Sequence, residues 1–187
     1  MSLDFSIISW NSNQPIPIKS ICHKLKGFNI SPKITWNPIP NSKSYILILE
    51  DLSVKPNPYI HWYIPYINPS ISSIDELNCD DTKTYELNSL ADSYLNKNKN
   101  MNIKNSLNTH NTLAYFGPCP PNDGINHEYR FVFYAINKNL FDFHNNISEM
   151  TNLLQPKTSS EFESYIQKFN DILILQKNQI SFFFQNK

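Results

Sequence analysis

An antiparallel β-sandwich with one helix near the end of the chain is the architecture this sequence predicts, and three observations predict it. Apolar, β-branched and aromatic runs fill Ser44–Glu50, Ile60–Ile67 and Tyr129–Ile136, the composition that suits a pleated, half-buried surface. Turns rich in Pro and Asn separate the runs with no helical period between them, which argues against alternating βαβ units. Helical spacing of apolar side chains becomes convincing only beyond Ser159.

In chain order, Ile7–Trp10 and Lys33–Trp36 are short strand candidates. Ser44–Glu50 is apolar at nearly every position, so it is expected at the centre of a sheet, buried on both faces. The turn Lys55-Pro56-Asn57-Pro58 leads into Ile60–Ile67. Residues 96–111 are dominated by Asn and Lys with isolated apolar side chains, too few to offset the entropy of ordering, and are expected to be a flexible insertion loop. Tyr129–Ile136 is the third long strand. In the helix, Ser159 or Ser160 is the cap, Glu161 and Glu163 lie in the first turn, and Phe162, Tyr165, Ile166, Phe169, Ile172 and Leu173 form the apolar face. Ile180–Phe184 is a last short strand whose aromatics are expected in the core. No repeat or second domain is visible, so residues 1–187 are expected to form a single domain.

Charge narrows the function classes. Sixteen Lys and Arg balance sixteen Asp and Glu, so no basic field exists to attract nucleic acid. The first residues lack a basic start followed by a long apolar core, and no stretch approaches the roughly 20 apolar residues of a membrane span. Cys22, Cys79 and Cys119 are widely spaced, which supports neither a disulfide framework nor a zinc site. A soluble, cytoplasmic protein of a reducing compartment is the expectation, without metal or cofactor, touching membranes at most peripherally.

The most informative run is Gly117-Pro118-Cys119-Pro120-Pro121-Asn122-Asp123-Gly124-Ile125-Asn126-His127-Glu128-Tyr129. Three prolines in four residues stiffen a loop without a ladder of hydrogen bonds, and His127 stands where that loop enters an aromatic strand. Asp51 ends the central strand and His61 begins the next. If these strand ends converge, an acid, two imidazoles and the Tyr129 hydroxyl surround a small cavity floored by Pro121. Imidazole and phenol donors suit an anion, with Asp51 fixing an imidazole tautomer or accepting from the amine of a head group.

Four blocks, in order, resemble the phosphatidylethanolamine-binding protein family, which includes the Raf kinase inhibitor proteins, and are closest to its bacterial and archaeal branch. Asn29-Ile30-Ser31-Pro32-Lys33-Ile34-Thr35-Trp36 resembles the N-x-S-P-x-L-x-W block, and Ser44–Asp51 the aliphatic strand ending in Asp. His61-Trp62 resembles the H-W pair, and Gly117–Tyr129 the G-P-C-P-P…H-R-Y block; Cys22 also fits the branch. The resemblance covers about residues 20 to 136, and the closing helix and strand fit the family's usual ending. It implies a two-sheet Greek-key β-sandwich whose pocket binds phosphate, acetate or a phospholipid head group, lined by Asp51, His61, Pro121, His127 and Tyr129. Two departures stand out. The family's D-P-D-x-P reads Asp51-Leu52-Ser53-Val54-Lys55, and its H-R-Y reads His127-Glu128-Tyr129. Loss of an acid at Ser53 together with its basic partner at Glu128 removes both ends of an ion pair, which can be nearly neutral for stability and would loosen the loop at 52–58. Arg130, one position late, faces the opposite side of the strand from Tyr129.

On residues alone, His61 and His127 read as structural histidines at strand edges; the four blocks favour a binding role. Cys119 reads as a small buried filler, since no third partner supports a nucleophile. The reading is therefore a non-enzymatic binding protein for an anionic small molecule or phospholipid head group, with a possible place in signalling. The alternative is a protein-partner regulator, an inhibitor of a kinase or serine protease, that uses the pocket for a phosphorylated side chain.

Overall fold

The computed structural model describes residues 2–11, 14–79, 103–142 and 147–186. Its elements in chain order are strands β1 (Phe5–Ile8), β2 (Lys33–Trp36), β3 (Ser44–Asp51), β4 (Tyr59–Ile67), β5 (Ser73–Ile74), β6 (Ile103–Lys104) and β7 (His127–Ile136), helices α1 (Ile147–Leu154) and α2 (Ser159–Ile166), and strand β8 (Ile174–Phe184). The strands pair antiparallel into a three-stranded sheet of order β1-β2-β5 and a five-stranded sheet of order β6-β4-β3-β7-β8.

β3 sits centrally because all eight of its residues are buried, as its unbroken apolar run requires. Strand alternation splits it between two cores. Tyr45, Leu47 and Leu49 face the smaller sheet with Phe131, Phe133, Trp36 and Phe5. Ile46 and Ile48 face the helices with Val132, Tyr134, Leu153 and Phe162. The large sheet is thus the middle layer, with strands covering one face and helices the other. Glu50 lies on the helical side, where its carboxylate accepts from Arg130 Nη2 (2.7 Å), Ser159 Oγ (2.7 Å) and the Ser159 backbone N–H (3.0 Å). Arg130 therefore turns away from Tyr129, as alternation predicts, and its charge compensates a buried carboxylate.

Three expectations need correction. Cys22 and Cys119 form a disulfide spanning 97 residues of sequence, so the exclusion of disulfides on spacing fails, and Cys119 is not a free filler. Spacing could not reveal it, because the pairing depends on residues 117–119 folding back against 20–22: an added Cβ at Gly117 would stand 2.4 Å from the Ser20 carbonyl oxygen, and the Cys22 N–H bonds the Pro118 carbonyl. Such bonds persist in oxidising surroundings, which removes the basis for a reducing compartment. Second, Thr158 caps α2 instead of a serine, its hydroxyl accepting from the Glu161 N–H, and the helix ends at Ile166. Phe169 and Ile172 still pack in the helical core from the following turn, while Leu173 is exposed. α1 was not anticipated.

Third, of the stretch 96–111, residues 96–102 lie outside the described residues, whereas 103–111 are built into the fold. β6 pairs with β4, and the buried Asn108 side chain bonds the Thr112 N–H, the Thr112 hydroxyl and the Ala114 carbonyl. Asparagine here satisfies backbone groups that would otherwise demand a regular ladder, which composition alone does not show. At the ends, β1 begins two residues before its predicted start and stops before Trp10, and β8 is longer than predicted, burying Phe182 but exposing Phe183. No described helix is long and apolar enough to cross a membrane.

Candidate functional site

The antiparallel register brings the last residue of β3 beside the first residues of β4 and β7. Asp51 stands opposite Tyr129 on one side and Tyr59 on the other. His127, two residues before Tyr129, shares its face and reaches Asp51 diagonally: Nδ1 lies 2.7 Å from Oδ2, with both side chains almost fully buried. The other Asp51 oxygen accepts the Ser53 N–H at 2.9 Å.

His61 reaches the same place through an irregularity in pairing. Leu49 pairs with Trp62 and Glu50 with Ile60, leaving His61 as the extra residue of a bulge. His61 and Trp62, consecutive in sequence, both serve the inter-sheet side: Trp62 joins that core, and the His61 ring meets Tyr129 edge-on with centroids 5.2 Å apart. Tyr59 (4.8 Å) and Phe116 (5.7 Å) flank the His61 ring, and His110 stacks on Phe116 at 4.7 Å. The site is an acid and two imidazoles walled by aromatics.

The imidazoles differ in charge. Burial pushes His61 down to about 4, against smaller opposing effects of the Phe116 carbonyl and Asp51. It is neutral near pH 7. Its Nδ1 lies 2.7 Å from the Phe116 carbonyl oxygen, which can only accept, so Nδ1 carries the proton and Nε2 is an acceptor. For His127, burial favours the neutral ring, but the hydrogen bond and charge of Asp51, aided by Asp123, outweigh it and raise the pKa above the usual value. Its Nδ1–H donates to Asp51, and its Nε2 lies 3.3 Å from Asp123 Oδ2.

Tyr129 completes the site. Its hydroxyl is fully buried and lies near the Asp51 carboxylate and the Cys119 backbone, with no well-formed hydrogen bond to either. Burial first, and then the charge of nearby Asp51, hold it far from ionising. A buried donor of this kind is costly unless something accepts from it.

Asp51, His61, His127 and Tyr129 are thus brought together. Pro121 lies exposed on the loop leading to His127, while Pro118 and Pro120 are the buried prolines. Sequence reasoning missed Asp123, although its place four residues before His127 in an Asn-Asp-Gly turn was a usable signal. It also missed Phe116, whose contribution is a backbone carbonyl and a ring face. At the two family departures, the Ser53 hydroxyl accepts the Glu128 N–H (3.0 Å), and the Glu128 carboxylate turns to β8 to accept from Ser181 Oγ (2.7 Å). The Leu52 N–H also bonds the Glu128 carbonyl, so the 52–58 loop is anchored at its start despite the lost ion pair.

Known proteins resemble this chain in sequence and in fold. A family profile described as phosphatidylethanolamine-binding protein matches residues 6–170. A UPF0098 protein of Methanothermobacter thermautotrophicus is 32% identical over 129 residues, covering 68% of this chain and 72% of that protein. LppC of Mycobacterium tuberculosis, named as a candidate lipoprotein, is 28% identical over 122 residues, 65% of this chain but only 49% of its own length. The chain therefore spans about half of that relative. Among solved structures, a phosphatidylethanolamine-binding protein homologue of Chlamydia trachomatis superposes with TM-score 0.66 at 21% identity, covering 100% of this chain and 99% of the other, a likeness of fold.

Proposed function

Since the chain belongs to the phosphatidylethanolamine-binding protein family, in its bacterial and archaeal UPF0098 type, we propose that it is a non-enzymatic binding protein whose strand-end site takes a phosphate-bearing ligand of the phospholipid head-group kind. The observation that carries this reading is the buried Asp51–His127 pair, whose imidazole keeps its second nitrogen toward the loop, with the Tyr129 hydroxyl buried beside it and poorly satisfied by its neighbours. A ligand oxyanion would accept from Tyr129 and from His127 Nε2–H, and the neutral His61 could accept from a protonated phosphate oxygen or an amine. Two donors and one acceptor suit a hydrogen phosphate ester better than a bare dianion. Two potential nucleophiles near His127 are not activated: Cys119 is held in a disulfide and the Tyr129 phenol is kept protonated.

The test is thermal unfolding with millimolar phosphate, phosphoethanolamine or short-chain phosphatidylethanolamine, on the wild type and on His127→Ala. A midpoint that rises for the wild type and not for the variant supports the reading, because a ligand stabilises only the state that binds it. No rise with any of the three ligands overturns it.

One feature favours the second reading, a regulator that captures a phosphorylated side chain of a protein. A groove of about 450 Å³ runs from Tyr59 along Pro56, Pro58, Leu107 and Pro156, with Lys55 and Lys157 on its walls, and Tyr59 also touches His61. Residues flanking a bound phosphoryl group could lie there. Small ligands would then produce weak shifts and a phosphopeptide large ones.

A further inference from the structure

The imidazole of His127 is held between two unequal carboxylates. Asp51 is 3% exposed, fixed at the end of β3, and 2.7 Å from Nδ1. Asp123 is 33% exposed, lies on the loop between Pro121 and His127, and stands 3.3 Å from Nε2. The first contact belongs to the framework and the second is the one that can be exchanged. An oxygen of Asp123 thus stands where an oxyanion of a ligand would meet His127.

The loop is built for such an exchange. Its base is fixed: Pro118 and Pro120 are buried, and Cys119 is bonded to Cys22. Its tip, 121–126, is exposed throughout, turning at Gly124 with φ +77°. A short Asx turn, in which Asp123 Oδ1 accepts the Ile125 N–H at 2.9 Å, presents the other carboxylate oxygen to the imidazole. From the last residues, Gln185 Nε2 donates to the Gly124 carbonyl at 2.7 Å and Asn186 Nδ2 to that of Pro120 at 3.2 Å. The tip is placed, but by surface contacts.

We infer that Asp123 is an internal competitor for the ligand position on His127, and that it selects ligands carrying a cationic N–H beside their oxyanion. This rests on the binding reading above. A bare phosphate that displaces Asp123 leaves the freed carboxylate next to a like charge. A zwitterion brings its own partner for Asp123, and for the acceptor nitrogen of neutral His61. Asp123 therefore penalises simple anions and tolerates phospho-amines.

The experiment compares the wild type with Asp123→Asn, whose amide oxygen can still accept the Ile125 N–H, by calorimetric titration with inorganic phosphate and with phosphoethanolamine. Ring-nitrogen NMR of His127 follows protonation of the ligand-free proteins. Removing one charge-assisted competitor is expected to tighten phosphate binding about tenfold, with a change of less than about threefold for phosphoethanolamine. The His127 titration should move to lower pH in the variant. Equal phosphate affinities in proteins that both bind, or an unmoved His127 titration, overturn the inference and leave the binding reading standing. Failure of both proteins to bind either probe overturns the binding reading and the competition together. Asp123→Ser, which keeps a side-chain oxygen for the turn, repeats the measurement if the amide variant loses its native amide spectrum.

Discussion

Asp51 Oδ2 and His127 Nδ1 meet at 2.7 Å although 76 residues separate them, and the register of β3 against β7 is what joins them. Asp51 is paired with Tyr129, so His127 is the diagonal neighbour on the same face, at the end of β7 that the chain enters from the proline-stiffened loop. The acid fixes which ring nitrogen is protonated inward and leaves the other for exchange.

Replacing Asp51 by Asn should therefore lower the His127 titration and weaken any anion held by its imidazolium. The stability sign follows from the raised pKa of His127. The pair contributes fully below the unfolded-state value of about 6.5 and is lost as pH rises through the higher folded value. Urea unfolding of the wild type should show this loss on the alkaline side, and Asp51→Asn should abolish it. A variant with the same alkaline slope as the wild type would mean that the pair carries no pH-dependent stability.

His61 works in the opposite direction. Its folded value of about 4 lies below the unfolded one, so the unfolded chain takes a proton first and stability falls as pH drops from about 6.5 toward 4. The full loss is about 3 kcal/mol for a shift of this size. His61→Gln, which can still donate to the Phe116 carbonyl, should flatten the acid limb between those pH values in the same unfolding series. A limb of unchanged steepness would assign acid sensitivity to other groups.

How much of this was legible in the sequence depends on how local each feature is. β3 was readable because a strand buried on both faces must be apolar at every position, and the Asp51, His61, His127 and Tyr129 cluster followed from motifs at strand ends. The bulge at His61 was not readable, since it is a slip between two strands, and the Cys22–Cys119 bond depends on a close approach of backbone that only folding creates. Asp123 was missed for a different reason. A carboxylate looks wrong in an anion site until it is seen in the place of the anion.

The disulfide yields a prediction about stability. Closing a loop of 97 residues should contribute about 4 to 5 kcal/mol through the unfolded state, and the bond also anchors the wall of the site at Cys119. Cys22→Ser with Cys119→Ser, or treatment with a dithiol reductant, should lower the urea midpoint accordingly. An unchanged midpoint in reductant, with free thiols verified, would mean that the packing around Gly117 suffices without the bond.

Arg130 and Glu50 test the other face of the large sheet. Glu50 is fully buried and keeps only the Ser159 donors if Arg130 is removed. Arg130→Met should cost about 3 kcal/mol, whereas adding Glu50→Gln should restore a large part of it, because the unpaired buried charge and not the lost bridge sets the cost. Equal losses in the single and double variants would show that packing of the arginine stem dominates.

Tyr129→Phe separates stability from binding most cleanly. Folding buries the Tyr129 hydroxyl near Asp51 without a well-formed hydrogen bond, so its removal relieves a desolvation cost of about 1 kcal/mol, and the ring packing against His61 and His127 is retained. The variant should be as stable as the wild type or slightly more so, and should bind phosphate or phosphoethanolamine several-fold more weakly. Chemical denaturation gives the first quantity and calorimetric titration the second. A variant that is destabilised by more than about 1 kcal/mol would show that the hydroxyl is satisfied within the fold, leaving no donor reserved for a ligand.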